Sequence, residues 1–282
     1  AAISSLEQGY TSYTANAGLL ELREEISKYM NKSFGINYDP NNEIIVTVGA
    51  SQALDIALRA LVDPGDEVIV VEPNFVAYSP LVTLAGGVPV PISTKKENDF
   101  KLKAEELEAA ITPKTKAVLM CSPNNPTGTQ LTRSDLEELA TVVKKHDLVV
   151  ISDEVYAELA YDDEFASFAS IPDMHERTVV LNGFSKAFAM TGWRLGFVCA
   201  SRELAEAMLK IPQYAFMCAS SMAQYAAIDA LKNGMDDVED MRRSYRARRN
   251  YIVKSFNDLG LECHTPGGAF YAFPSIKSTG LS

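Results

Sequence analysis

Residues 117–153, AVLMCSPNNPTGTQLTRSDLEELATVVKKHDLVVISD, contain the pattern that decides the fold. The apolar run Ala117–Cys121 leads into a loop of proline, asparagine and glycine. Arg133–His146 then has apolar residues at helical spacing, and Leu148–Ser152 is a second apolar run. A strand, a helix and another strand in this order are typical of a parallel sheet covered by helices.

The same alternation recurs along most of the chain. It predicts an α/β fold with a mostly parallel sheet flanked by helices. We also expect two strands in the tail Glu262–Phe273, joined at Pro266-Gly267-Gly268. The further predicted strands are Glu43–Val48, Glu67–Val71, Thr178–Leu181 and Leu195–Ala200, and the further helices include Ser51–Leu61 and Ala104–Ala110.

The charge of the chain argues against nucleic-acid binding. Its 282 residues carry a formal net charge of −11, whereas phosphate contacts need concentrated positive charge. A basic run at residues 242–249 follows an acidic run at residues 236–240. Acids near the start of a helix and bases toward its end suit the helix dipole, so we interpret this segment as a solvated helix.

Other classes of protein are disfavoured by the pattern of cysteines and apolar residues. The four cysteines and three histidines are scattered, without a Cys-x-x-Cys pair, so we expect no metal site. Reduced thiols favour a cytoplasmic location. No apolar run approaches the roughly 18 residues of a membrane helix, and no signal peptide is visible.

Polar residues that follow apolar strands mark the candidate site. Ser51, Asn125, Asp153 and Lys186 each come just after such a run. In open α/β sheets, ligands bind outside the carboxyl ends of the strands. We therefore expect these four side chains to converge.

Each of these positions has a structural interpretation beside a chemical one. Ser51 opens a helix, where a hydroxyl and free N–H groups either cap the helix or hold a phosphate. Asn125 lies in a loop bracketed by prolines, where its amide either shapes a turn or donates to a ligand oxygen. Asp153 ends an apolar strand, where a carboxylate either caps the next helix or pairs with a ligand cation.

The segment Asn182–Gly196, NGFSKAFAMTGWRLG, is densest in chemical groups. Lys186 stands among aromatic and apolar residues, and desolvation favours the neutral, nucleophilic form of an amine. Arg194 follows eight residues later, and its planar guanidinium suits a phosphate. A lysine of this kind also occurs at surfaces, where its stem covers apolar neighbours.

Taken together, the motifs resemble one family along the whole chain. The sequence is similar to the class I aminotransferases of fold type I, in the subgroup that includes aspartate, aromatic and N-acetyl-diaminopimelate aminotransferases. The motifs that carry the resemblance are GASQA (49–53), EPNFVAYSP (72–80), SPNNPTG (122–128), SDEVY (152–156), GFSKAFAMTGWRLGF (183–197) and PGGAFYAF (266–273).

The resemblance implies pyridoxal 5′-phosphate (PLP) as cofactor. Lys186 would form a Schiff base with it and then act as the acid–base catalyst. Asp153 would pair with the pyridinium nitrogen, keeping the ring a strong electron sink. Asn125 and Tyr156 would hydrogen-bond the phenolic oxygen, and Phe75 would stack on the ring.

The phosphate group and the subunit partner follow from the same likeness. Ala50, Ser51, Ser185 and Arg194 would bind the phosphate, while position 183 is glycine where some relatives have a phosphate-binding serine. Tyr13 would reach the phosphate in the neighbouring subunit, which implies a homodimer.

The likeness also implies the reaction and the domains. An amino acid would pass its amino group to a 2-oxo acid by a ping-pong mechanism. Residues 1–250 would form the large PLP-binding domain, without its N-terminal arm, and residues 251–282 the start of a small α+β domain. The arginine that clamps the substrate carboxylate would lie beyond Ser282.

Two other functions remain open from the sequence. A PLP-dependent C–S lyase or synthase shares the lysine and the aspartate of this fold. A regulatory aminotransferase-like domain without catalysis is a different class, although no helix-turn-helix is apparent in these residues. A nicotinamide dehydrogenase is disfavoured because the glycine fingerprint is absent.

Overall fold

A seven-stranded sheet forms the centre of the computed structural model, which describes residues 1–281. Its order is β1-β7-β6-β5-β4-β2-β3, parallel from β6 through β3, with β7 antiparallel to both β1 and β6. The mostly parallel α/β sheet predicted from the sequence is confirmed. The strands are β1 (Ile44–Thr47), β2 (Glu67–Glu72), β3 (Val88–Ser93), β4 (Thr115–Cys121), β5 (Val149–Asp153), β6 (Thr178–Gly183) and β7 (Gly196–Cys199).

Helices cover both faces of this sheet. On one face α3 and α8 pack on Leu119 and Ile151, and on the other α5 and α6 pack on Val118 and Val150, because neighbouring strand residues point to opposite faces. Helices α2 and α9 complete the second face beside Phe197. The helices are α1 (Ala2–Glu7), α2 (Leu20–Phe34), α3 (Gly49–Leu61), α4 (Tyr78–Leu84), α5 (Ala104–Ala110), α6 (Arg133–Lys145), α7 (Phe184–Ala187), α8 (Arg202–Ala215), α9 (Ser221–Asn233) and α10 (Met235–Asp258). Within residues 1–281, none of the helices combines the length and apolar character needed to cross a membrane.

The strand predictions failed at two places. Strand β3 was not predicted, because its sequence VPVPIS has two prolines, which are tolerated at the sheet edge that β3 occupies. The prediction of strands in residues 262–273 was wrong. Of this tail, only Gly268 forms an isolated β-bridge, with Ala160.

The tail contacts the loop after β4 through glycines. A Cβ on Gly128 would lie 2.4 Å from Pro266 Cβ, and one on Gly268 would lie 2.5 Å from Pro123 Cγ. The amide of Gly268 donates to the Gly128 carbonyl at 3.0 Å. We call this contact between residues 122–130 and 266–271 the glycine interlock. At both glycines the facing proline ring lies where a Cβ would be, so the tail packs directly against the loop after β4.

The arginine-rich part of α10 is not entirely solvated, contrary to the interpretation from its charge pattern. Arg249 is buried, forms an ion pair with Asp162 and donates to the Pro266 carbonyl at 2.8 Å. It thereby fastens the tail to the helix. Helix α10 continues without a break through residue 250, so the predicted domain boundary there stays a prediction, and Ser282 at the end of the predicted small domain lies outside the described residues.

Candidate active site

The carboxyl ends of β4, β5 and β6 open into a cavity of about 240 Å³. The parallel strands bring their following loops to one edge of the sheet, as expected for an open α/β fold. The cavity is lined by the predicted residues Ala50, Ser51, Phe75, Asn125, Asp153, Tyr156, Ser185, Lys186 and Arg194. Tyr13 is 79% exposed and is not among the lining residues, so the structure does not bring it to the cavity of its own chain.

Asp153 provides a buried carboxylate on the cavity wall. Tyr78 Oη donates to Asp153 Oδ2 at 2.6 Å, and the Val155 amide donates to Oδ1 at 3.3 Å. Burial raises the pKa of Asp153, whereas the Tyr78 hydroxyl, the Val155 amide and the charge of Lys186 oppose that rise. The hydrogen bonds thus favour a charged carboxylate in an apolar setting, which can pair with a cation in the cavity.

Lys186 lies on the short helix α7, directly after β6, and is half-buried. Its Nζ is 5.8 Å from the Tyr156 ring centre and 5.5 Å from that of Phe270. The fully buried Phe184 fixes the start of α7 in the core. The amine therefore faces the cavity between aromatic rings, a setting that suits a nucleophile.

Groups with positive charge gather where α3 begins. The first N–H groups of α3, including those of Ala50 and Ser51, have no partner within the helix and carry partial positive charge. A Cβ on Gly49 would lie 2.6 Å from Arg194 Nη2, so glycine lets the guanidinium reach the helix start. Together the guanidinium and the helix N-terminus suit a phosphate.

The two asparagines of the loop after β4 have different surroundings. Asn124 is buried, and its Oδ1 accepts hydrogen bonds from the amide and the hydroxyl of Thr127 at 3.0 and 2.8 Å. Asn125 is partly exposed and lines the cavity. Asn124 thus stabilises the loop, whereas the side chain of Asn125 is accessible to a ligand in the cavity.

Comparison with known proteins identifies the family. The model of the family "Aminotransferase class I and II" matches residues 1–280. The chain belongs to this family.

Individual relatives match the aminotransferase chain over nearly its full length. It is 64% identical over 282 residues to a Bacillus subtilis (strain 168) protein named "Putative aminotransferase YugH", covering 100% of this chain and 73% of that protein. It is 49% identical to an aspartate aminotransferase of Pyrococcus abyssi, covering 99% and 72%. The crystal structure of an aromatic aminotransferase from Pyrococcus horikoshii OT3 superposes with a TM-score of 0.97 at 49% identity, covering 99% and 76%.

Sequence reasoning missed two tyrosines that line the aminotransferase cavity. Tyr78 donates to Asp153, and the Tyr271 hydroxyl lies 2.7 Å from the Tyr156 hydroxyl. Both stand inside motifs that carry the family resemblance, EPNFVAYSP and PGGAFYAF. A family motif marks the segment that reaches the site, but only the fold shows which of its side chains face the cavity.

Proposed function

We propose that this aminotransferase holds PLP in the cavity at the strand ends and moves an amino group from an amino acid to a 2-oxo acid by a ping-pong mechanism. The convergence of Asp153, Lys186 and Arg194 on one cavity carries the proposal. These residues supply a buried carboxylate, a half-buried amine and a guanidinium at a helix start. Class I aminotransferases use PLP, and the three groups match its pyridine nitrogen, its aldehyde and its phosphate.

The rest of the cavity also fits that cofactor. Ala50, Ser51 and Ser185 add N–H and hydroxyl donors at the phosphate end, and Phe75 offers a ring face. Asn125 and Tyr156 can donate to a phenolic oxygen. Arg194 packs so close to Gly49 that a Cβ would not fit between them. The guanidinium therefore lies beside the start of α3, where both can contact the same phosphate.

The residues of the chain divide the work of the reaction. Bound PLP supplies the electron sink that makes the proton on the substrate Cα removable. Asp153 would pair with the pyridine nitrogen and keep it protonated, and the charge of Asp153 is favoured by the hydrogen bond from Tyr78. Lys186 Nζ would hold the cofactor, and as a free amine it would take the proton from the substrate Cα.

We propose a homodimer in which Tyr13 of each protomer reaches the cavity of its partner. Tyr13 is 79% exposed and does not line the cavity of its own chain, as such a role requires. An isologous pairing around a two-fold axis would complete both sites together.

The proposed amino donors are aspartate, aromatic amino acids and N-acetyl-diaminopimelate. Two relatives of equal identity are named for aspartate and for aromatic substrates, so their names do not choose between these. The choice requires a panel of amino donors with 2-oxoglutarate, in which glutamate formation and the absorbance of the bound cofactor are followed.

The panel has three informative outcomes. Glutamate formed from one donor class identifies the transferase and its substrate. Pyruvate with ammonia or a thiol would indicate a lyase instead, and cofactor binding without any product would indicate a regulatory domain.

Lys186→Ala should lose both turnover and covalent attachment of the cofactor, and normal turnover in this variant would refute the assignment.

A further inference from the structure

The hydroxyl groups of Tyr156 and Tyr271 form a pair on the wall of the candidate active site. Their oxygens are 2.7 Å apart, and their rings meet nearly edge-on at 5.8 Å and 76°. Tyr156 is 3% exposed, and both residues line the cavity. Among residues 1–281, each of the two hydroxyls has the other as its hydrogen-bond partner.

Tyr271 is held firmly in this position by the backbone around it. The Ala269 amide donates to the Leu159 carbonyl at 3.0 Å, and the Tyr161 amide donates to the Gly267 carbonyl at 2.9 Å. The glycine interlock and Arg249 fasten the preceding residues. Several independent contacts therefore position this short segment, and with it the Tyr271 hydroxyl.

The number of hydroxyl protons in this pair determines whether Tyr156 can donate to a ligand. Burial raises the pKa of both tyrosines, so both hydroxyls are neutral at neutral pH and each has one proton to donate. When Tyr156 donates to Tyr271, it has no proton left for a ligand. When Tyr271 donates to Tyr156, the Tyr156 proton is free to point into the cavity, and the chain of donors strengthens the second bond.

We propose that Tyr271 is a positioning residue that donates to Tyr156 and thereby directs the Tyr156 proton onto the phenolic oxygen of the cofactor. This inference rests on the proposed function, because it needs PLP in the cavity. Donation to that oxygen stabilises its anionic form and weakens its hold on the proton of the neighbouring cofactor nitrogen. Tyr271 therefore lowers the pH at which the bound cofactor loses that proton.

The test is a spectroscopic pH titration of the holoenzyme. We expect Tyr271→Phe to move the midpoint of the cofactor's visible absorbance change upward by about 0.5 to 1 pH unit, the size of one hydrogen bond. Tyr156→Phe should move it further in the same direction. In the double variant the loss of the Tyr271 hydroxyl should add nothing, because its effect passes through Tyr156.

A matched control is Tyr245→Phe. The ring of Tyr245 packs against Phe270 in the same aromatic cluster, 5.5 Å between centres, while its hydroxyl makes no hydrogen bond within residues 1–281. It should leave the midpoint unchanged, and thermal unfolding of all variants reports on folding. An unmoved midpoint in Tyr271→Phe, or additive shifts in the double variant, would overturn the inference while leaving the proposed function intact. A wild-type visible band that does not change with pH would overturn the inference alone, whereas a wild-type protein that forms no visible band with PLP would overturn both.

Discussion

The hydrogen bond from Tyr78 to Asp153 allows the stabilisation of a buried charge to be measured. Tyr78 is 1% exposed, and its hydroxyl donates to Asp153 at 2.6 Å. Tyr78→Phe removes the donor and keeps the ring in its place. A hydrogen bond to a charged group contributes about 1.5–3 kcal/mol, so we expect the free energy of unfolding of the apoprotein to fall by about 2 kcal/mol at neutral pH.

The pH dependence of this loss distinguishes a charge effect from a packing effect. Burial raises the pKa of Asp153, and without the Tyr78 hydroxyl this pKa rises further. A carboxyl whose pKa is raised on folding destabilises the folded state increasingly as the pH rises from its ordinary pKa to its folded pKa. The deficit of the variant should therefore be largest when Asp153 is ionised and should shrink in acid, where Asp153 becomes protonated.

Urea unfolding of the wild type and the variant at a series of pH values, from about 8 into acid, measures this difference. Tyr214→Phe is the control, because that side chain is 92% exposed and its loss should change nothing. A deficit that is equal at every pH of the series would refute the charge argument. Unchanged stability at about pH 8 would refute any contribution from the hydrogen bond.

Three further predictions concern other parts of the fold, each checked by urea unfolding. Gly128→Ala should lower the free energy of unfolding by about 3 kcal/mol, because φ at this residue is +71° and a Cβ would overlap the facing proline. The control Gly35→Ala should lower it by only about 1 kcal/mol, because φ is +70° there but the space around the Cβ is open. Glu154 is buried, which raises its pKa to about 7. As the pH rises from about 4.5 to 7, the stability of Glu154→Gln should therefore increase by roughly 3 kcal/mol relative to that of the wild type, and a pH-independent difference would contradict this. Arg249→Met should lose about 2–3 kcal/mol, while the more exposed Arg246→Met should change stability by under about 0.5 kcal/mol, and equal losses would contradict the role of burial.

The central sheet and its site could be predicted from local sequence. Apolar, β-branched runs mark β4 to β6, and a parallel arrangement forces their carboxyl ends to one edge. The convergence of Asn125, Asp153 and Lys186 could therefore be predicted without any knowledge of longer-range packing. The prediction needed only the strand ends, which the polar residues after each apolar run mark clearly.

The contributions of Tyr78 and Tyr271 could not be predicted in this way. Tyr78 lies 75 residues from its partner Asp153, and Tyr271 lies 115 residues from Tyr156. Their directions depend on how α4 and the tail pack against the sheet. The tail was also misinterpreted as strands, because Pro266-Gly267-Gly268 suits a hairpin locally, whereas the glycines serve a contact with a distant loop.

The glycine interlock has a consequence for making chimaeras of this protein. Gly128 and Pro266, like Gly268 and Pro123, touch across positions where no side chain fits. A chimaera that takes residues 1–260 from one parent and the rest from another separates both pairs, although it leaves every strand of the sheet intact. A crossover site chosen from secondary structure alone would therefore misjudge this junction. Both loops should be inherited from the same parent.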